Sequence, residues 1–133
     1  MRRTRTSAAI VTAAATAFAF APTGAALPAD AARGDVIRQG NCSGTADWKL
    51  KAKPDDGRLE VEGEVDVNRN GQMWRWKILR NGNVVANGMS TTHAPSGSFS
   101  VVRRIGNPAG SDRIGWRATN PATGQTCQGS LTI

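Results

Sequence analysis

The stretch ADWKLKAKPDDGRLEVEGEVDV, residues 46–67, decides the fold, because its apolar residues recur at every second position. A period of two is typical of strands with one buried face, whereas helices repeat about every 3.6 residues. The turn-forming PDDG separates two such strands. A four-residue loop over 54–57 predicts an antiparallel register with Leu50 opposite Val61 and Trp48 opposite Gly63.

This register also places a row of lysines opposite a row of glutamates on the solvent face. Lys51 would lie opposite Glu60 and Lys49 opposite Glu62. Opposite charges in such cross-strand pairs stabilise a sheet by about 0.2–1 kcal/mol each. We therefore interpret the two rows as a structural ladder, with a site built from clustered carboxylates as the alternative.

The rest of the chain repeats the strand pattern, with turn signals about every ten residues and no helical segment. Asn81-Gly82 stands between two strand-like runs and is the strongest short hairpin signal. Three more strands follow, FSVVRRI at 99–105, RIGWRATN at 113–120 and QTCQGSLTI at 125–133. The pattern predicts an all-β domain over residues 42–133, folded as a seven-stranded antiparallel sandwich.

Seven strands in this span resemble immunoglobulin-like and fibronectin type III modules. The resemblance rests on the strand count, on the tryptophan-bearing third strand before Asn81-Gly82, and on the last hairpin, RIGWRATNPATGQTC. More narrowly, EVDVNRNGQMWRW, APSGSFSV and RATNPATGQTC resemble small secreted single-disulfide proteins of unknown function from GC-rich Gram-positive bacteria. The resemblance implies an immunoglobulin-like architecture and no particular activity.

The first 26 residues carry the three parts of a secretory signal peptide: arginines, a short apolar run and small residues. We expect cleavage between residues 25 and 31 and a flexible segment over 27–41. The apolar run is shorter than the roughly 20 strongly apolar residues of a spanning helix. We therefore expect a secreted, extracellular protein without a membrane span.

Cys42 and Cys127 lie near opposite ends of the predicted domain. Outside the cytoplasm such a pair usually forms a disulfide. The bridge would close nearly the whole domain into one loop, which the chain-entropy model values at roughly 4 to 5 kcal/mol. It departs from immunoglobulin domains, which link the second and sixth strands. A metal site on the two thiolates would need further ligands, and no Cys-x-x-Cys motif or neighbouring histidine supplies them.

DVNRNG, residues 66–71, has oxygen ligands at the first, third and fifth positions and glycine at the sixth, as in a calcium loop. The twelfth position, however, is Lys77, where such a loop needs a bidentate glutamate. The segment is better interpreted as a tight turn in which Asn70-Gly71 supplies the positive φ. We predict no metal site and no cofactor.

A catalytic site is not expected. The one histidine, His93, would need a nearby serine and an orienting carboxylate to form a triad. Asp112 is the only acid between Gln72 and Ile133, and it lies in a different predicted loop. The sequence therefore favours a protein that is not an enzyme.

Charge is distributed unevenly along the chain. Residues 34–68 contain five Lys or Arg and eight Asp or Glu, whereas residues 69–117 contain eight and one. Such asymmetry suggests an anionic partner for one face. The alternative is that the positively charged residues form a solvated face that only keeps a released protein in solution.

The strand pattern indicates which face carries the positive charge. In the third strand two tryptophans alternate with Arg75 and Lys77, and burying two unpaired cations costs several kcal/mol each. The cations should therefore face outward, as should Arg113 and Arg117 of the sixth strand. If these strands are neighbours, the four residues form one basic surface. Outward tryptophans would instead make a platform for stacking sugars.

We predict a secreted binding module that holds an anionic envelope or matrix polymer, such as teichoic acid or an acidic polysaccharide rather than nucleic acid, on this basic surface. The alternative is a small secreted inhibitor of a hydrolase, or another protein-interaction domain, that acts through the loop at residues 90–98.

Overall fold

The computed structural model describes residues 34–133, which form eight strands and no helix. The strands are β1 (Val36–Asn41), β2 (Asp47–Asp55), β3 (Arg58–Asp66), β4 (Met73–Arg80), β5 (Asn83–Thr91), β6 (Ser98–Gly106), β7 (Arg113–Thr119) and β8 (Thr126–Thr132). They build two four-stranded antiparallel sheets, ordered β1-β2-β3-β6 and β5-β4-β7-β8. The prediction of an all-β domain made of two antiparallel sheets is confirmed.

The predicted count of seven strands is wrong, because residues 36–41 form an additional strand, β1. The sequence analysis placed these residues in a flexible segment over 27–41. They pair along β2, with Val36 opposite Ala52 and Asn41 opposite Asp47. A six-residue strand has too few alternations to stand out in sequence, and β2 stabilises it by completing its backbone hydrogen bonds. The predicted signal peptide and residues 27–33 lie outside the described residues.

The β2–β3 hairpin has the predicted faces but not the predicted partners. Leu50 lies opposite Gly63 instead of Val61, a shift of two residues that keeps every side chain on its expected side. The shift arises at the turn, which contains only Asp56 and Gly57, with φ of 48° and 74°. Positive φ at both positions defines the tight hairpin turn that matches strand twist, so the strand continues through Pro54 and Asp55.

Asn81-Gly82 forms the predicted hairpin turn between β4 and β5, with φ of 50° and 85°. The side chain of Asn81 also ties this turn to the next hairpin. Its Oδ1 accepts a hydrogen bond from the backbone of Arg113 at 2.9 Å, and its Nδ2 donates one to Asp112 at 3.2 Å. Asn81 therefore supplies both the turn geometry and a contact with the start of β7.

Tryptophans fill the space between the sheets, and glycines of the opposite sheet make room for them. The ring of Trp116 on β7 lies against Gly63 of β3, where an added Cβ would come within 2.2 Å of it. Trp48 on β2 covers Gly129 of β8 in the same way, at 2.1 Å. The prediction that Trp48 covers Gly63 is therefore wrong: these rings reach across the core to the other sheet.

The predicted disulfide between Cys42 and Cys127 is confirmed, and it spans 85 residues of sequence. It joins the segment after β1 to β8, at the side of the sandwich where the two sheets meet through β1, β2 and β8. The backbone amide of Ser43 donates to Thr126 O at 2.8 Å and reinforces the junction. The bridge therefore closes one of the two open sides of the sandwich.

Candidate functional site

The candidate site is the outer face of the β5-β4-β7-β8 sheet. On β4, Trp74 and Trp76 are 0% and 3% exposed, so they belong to the core. Arg75 and Lys77 alternate with them and point to the other side of the sheet. A sugar-stacking platform of outward tryptophans is therefore excluded for this strand.

Strand β7 has the same alternation. Ile114, Trp116 and Ala118 are buried, whereas Arg113 and Arg117 are exposed on the outer face. Because β4 and β7 are neighbours at the centre of the sheet, all four predicted residues lie on one face. We call this surface the cationic face, defined by Arg75, Lys77, Arg113 and Arg117.

Two of these cations form a cross-strand pair. Lys77 lies directly opposite Arg117, and Arg75, two positions earlier on β4, lies opposite Thr119. Directly opposite residues have Cβ atoms about 4.5–5.5 Å apart, and diagonal neighbours about 7–8 Å apart. Like charges at these distances repel each other, so an anion between them would stabilise the sheet.

The charges on this face have no acidic counterpart. None of β4, β5, β7 and β8 contains an Asp or Glu, and within residues 34–133 no ion pair joins the four cations to a carboxylate. The contacts found are neutral and long: Arg113 donates to Ser130 Oγ and Arg117 to Gln128 Oε1, both at 3.4 Å. The guanidinium groups therefore remain available to an external acceptor.

A shallow depression of about 530 Å³ brings three of the four cations together. Arg75, Lys77 and Arg117 line it beside Val84, Asn87 and Met89 of β5. Arg113 lies outside it and lines a neighbouring depression, to which Arg117 also contributes. The cationic face thus has a triad of cations at its centre and a fourth cation toward the Asn81 turn.

This surface also carries exposed apolar residues that the sequence did not predict. Met89 is 61% exposed, Val84 is 50% exposed, and Met73 at the start of β4 is 42% exposed. The alternation in β5 is interrupted by an irregularity opposite Ile78 and Leu79. Val84 and Met89 are an odd number of positions apart, so strict alternation would place them on opposite faces of the strand. The irregularity brings both to the same face beside the cations, which alternation could not predict.

The opposite outer face, that of the β1-β2-β3-β6 sheet, has its charges paired. Lys49, Lys51 and Lys53 lie opposite Glu64, Glu62 and Glu60, and Arg104 lies opposite Glu60 from the other side. Lys53 Nζ is 3.8 Å from Glu60, and Arg104 Nε is 3.1 Å from Asp55. We call this surface the paired face. The ladder predicted from sequence is present, with each lysine shifted to the next glutamate.

His93 and Asp112 do not form a catalytic pair. The ring of His93 is 3.3 Å from Thr91 O, beyond the end of β5 that pairs with Met73. Asp112 is 2% exposed and accepts from Asn81 at the opposite end of β4. A strand of eight residues spans about 25 Å, so the two groups lie far apart.

The loop at residues 90–98 is compact. Thr92 is buried, and its hydroxyl accepts from the amide of Gln72 at 2.9 Å and donates to Arg69 O. Gly97 packs beneath the same turn, where an added Cβ would lie 2.2 Å from the Arg69 nitrogen. His93 N donates to Ser98 O at 3.1 Å, so the loop folds back on itself.

The DVNRNG segment is the turn that this loop packs against. Its positive φ values occur at Asn68 and Gly71, 58° and 78°, rather than at Asn70. The amide of Asn68 donates to Asp66 Oδ1 at 3.0 Å, the bond expected of such a turn. Residues 34–133 hold no cluster of three or more His, Cys, Asp or Glu side chains suited to a metal ion.

Comparisons with known proteins provide no relative: no family model, no curated protein and no solved structure matches this chain. Within the described residues there is also no helix of the length and apolarity needed to cross a membrane.

Proposed function

We propose that this protein is a secreted, non-enzymatic binding module that holds an anionic envelope or matrix polymer on its cationic face. The observation that carries the proposal is the cross-strand pair of Lys77 and Arg117, with Arg75 beside it and no carboxylate on the four strands. Such a cluster lowers the stability of the free protein through repulsion. A bound anion removes this repulsion and gains charge-assisted hydrogen bonds.

The spread of the cations favours a polymer over a single small anion. Arg113 and the partner of Arg75, Thr119, stand at opposite ends of β7. Seven residues of extended strand span about 20 Å, which is several times the width of one phosphate or carboxylate group. Teichoic acid or an acidic polysaccharide repeats its charge over such a length, so several cations can be engaged by one chain.

The disulfide supports the proposed location. Cys42 and Cys127 are bridged, and disulfides persist mainly in oxidising compartments such as the extracellular space. We further propose that the domain belongs to the immunoglobulin-like class. The adjacency of β4 and β7 supports this assignment, because these are the third and sixth strands of the predicted seven. β1 would then be an additional strand.

The alternative, inhibition of a hydrolase through residues 90–98, has less support. Substrate-like inhibitor loops present an extended backbone that can pair as a strand. Here the segment turns back at His93 and Ser98 and directs its backbone bonds to the neighbouring turn. No observation within residues 34–133 favours a protease partner over a polymer.

The test is binding to immobilised teichoic acid, to an acidic polysaccharide and to a neutral glucan, at low and high salt. One variant carries Lys77→Ser and Arg117→Ser. Its matched control carries Lys49→Ser and Lys53→Ser, which removes the same charge from the paired face. We expect binding to the anionic polymers only, with affinity that falls as salt rises.

The variant with Lys77→Ser and Arg117→Ser should lose most of the affinity. The slope of log affinity against log salt concentration should become less steep by about one for each lost contact. The control should bind like the native chain. Equal losses in the two variants would show that only net charge matters, and binding to the neutral glucan would contradict the proposal directly.

A further inference from the structure

The large apolar side chains exposed in residues 34–133 are concentrated at the cationic face. Four are exposed, and three of them, Met73, Val84 and Met89, belong to β4 and β5. The fourth, Val102, is 47% exposed and lies on the paired face. Binding of a soluble polyanion needs cations and does not by itself explain why these three apolar side chains are exposed beside them.

The apolar and charged side chains are arranged in strips across one sheet. Arg75 lies opposite Met89 and Leu79 opposite Val84, with Asn87 between them opposite Lys77, so the apolar strip follows β5 beside the cations of β4 and is interrupted once by an amide side chain. On the other side, the outward residues of β8 are polar and uncharged: Thr126, Gln128, Ser130 and Thr132. The face is therefore amphipathic from β5 to β8.

All these side chains stand roughly perpendicular to the sheet, since outward residues of neighbouring strands point the same way. They therefore project to the same side of the molecule. A second copy paired along the edge of β5 would use backbone groups within the sheet and leave Val84 and Met89 facing outward. The geometry thus fits a partner that lies across this face better than one that adds a strand to its edge.

We propose that the cationic face docks on a lipid surface rich in anionic phospholipid. Arg75, Lys77 and Arg117 contact headgroup phosphates, while Met73, Val84 and Met89 reach the boundary with the acyl chains. Interfacial binding of this kind combines buried apolar area with attraction to anionic lipid. This inference rests on the proposed role of the cationic face as an anion-binding surface and assigns it a phosphate-bearing lipid layer as ligand instead of a soluble polymer.

The experiment compares two probes with the same phosphate chemistry. One is vesicles of equal parts phosphatidylglycerol and phosphatidylcholine, with pure phosphatidylcholine as the uncharged reference, and the other is soluble polyphosphate. The variant carries Val84→Ser and Met89→Ser, and Val102→Ser is the control, matched in exposure but placed on the paired face. Binding is measured by co-sedimentation and sedimentation velocity reports the oligomeric state.

We expect the native chain to bind the anionic vesicles and not pure phosphatidylcholine. The apolar variant should bind vesicles about ten-fold more weakly, because it loses buried apolar area, and should bind polyphosphate as the native chain does. Val102→Ser should change neither. Replacing Lys77 and Arg117 by serine should weaken vesicle binding about twenty-five-fold, from about five-fold per cation.

Several outcomes would overturn the inference. Binding to polyphosphate without binding to vesicles, or equal losses of both in the apolar variant, would leave the proposed function standing and exclude the lipid surface. A failure to bind either probe would exclude the lipid surface, and the binding experiment with teichoic acid and acidic polysaccharide would then decide the proposed function separately. A native dimer that the apolar variant converts to monomer would assign the strip to contact between copies. If the variant with Val84→Ser and Met89→Ser has a lowered unfolding midpoint, the comparison is repeated with Met89→Ser alone.

Discussion

The two outer faces of the sandwich have the same strand alternation but opposite arrangements of charge. On the paired face each lysine of β2 lies opposite a glutamate of β3. On the cationic face Lys77 lies opposite Arg117, and none of the four strands contains an acid. The comparison shows that the same backbone pattern matches opposite charges on one face and leaves the cations of the other face without an acidic residue on their four strands.

The largest expected effect removes the covalent link between the two sheets. Replacing Cys42 and Cys127 by alanine should lower the free energy of unfolding by about 4 kcal/mol, because the open chain has more conformational freedom when unfolded. Denaturant unfolding measures the loss. The reduced native chain is the control and should unfold at the same midpoint as the variant; a midpoint equal to that of the oxidised chain would contradict the prediction.

The next largest effect is expected where the ring of Trp116 packs against Gly63 of the opposite sheet. Gly63→Ala should destabilise the protein by about 3 kcal/mol, since the new methyl group would lie within 2.2 Å of the buried ring of Trp116. Gly115→Ala is the control, because its Cβ would meet Leu79 at an ordinary 3.4 Å on the outer side. Thermal unfolding of both variants tests this, and similar midpoints would show that Trp116 can move aside.

Reversing one charge should destabilise the protein on the paired face and stabilise it on the cationic face. Glu60→Lys on the paired face should cost about 1 kcal/mol, because the new lysine lies between Lys53 and Arg104. Arg117→Glu on the cationic face should stabilise by about 0.5 kcal/mol, because it turns a repulsive pair with Lys77 into an attractive one. Urea unfolding at low and high salt measures both, and two losses of equal size would refute the contrast between the faces.

The smallest effect concerns Arg103, a residue of β6 that bridges the sheets. Its guanidinium carbon lies 5.0 Å from the ring centroid of Trp76, on the side of the sandwich away from the disulfide. Arg103→Ala should destabilise by about 0.5 kcal/mol, the usual size of an exposed cation–π contact. Arg69→Ala, at an exposed turn, is the control, and identical stabilities of the two variants would argue that the contact contributes nothing.

Much of the candidate site was predictable because it depends on local pattern. Alternation of apolar and charged residues, together with the cost of burying cations, placed Arg75 and Lys77 outward without knowledge of the sheet order. The neighbourhood of β4 and β7 was expected from the resemblance to immunoglobulin-like modules. The exposed Met89 could not be predicted, because whether a methionine is buried depends on what the tertiary fold brings over it.

The register of the first hairpin shows the limit of local reasoning. Both the predicted and the observed register put opposite charges together, because lysines and glutamates alternate with the same period along both strands. The choice between them falls to the turn, where Asp56-Gly57 closes the hairpin with two residues instead of four. The sequence therefore predicted that lysines lie opposite glutamates, but not which lysine lies opposite which glutamate.

The sequence by itself determined seven of the eight strands, the buried sides of β4 and β7, the turn at Asn81-Gly82, and which cysteines pair, since these depend on nearest neighbours or on there being only two cysteines. The tertiary structure alone decided that β1 joins the sheet, that Trp116 rests on Gly63, and that Lys77 meets Arg117 beside an apolar strip. These features depend on contacts between residues that are distant in sequence. Such residues come together only when the strands pair and the two sheets pack, so a local sequence pattern does not specify them.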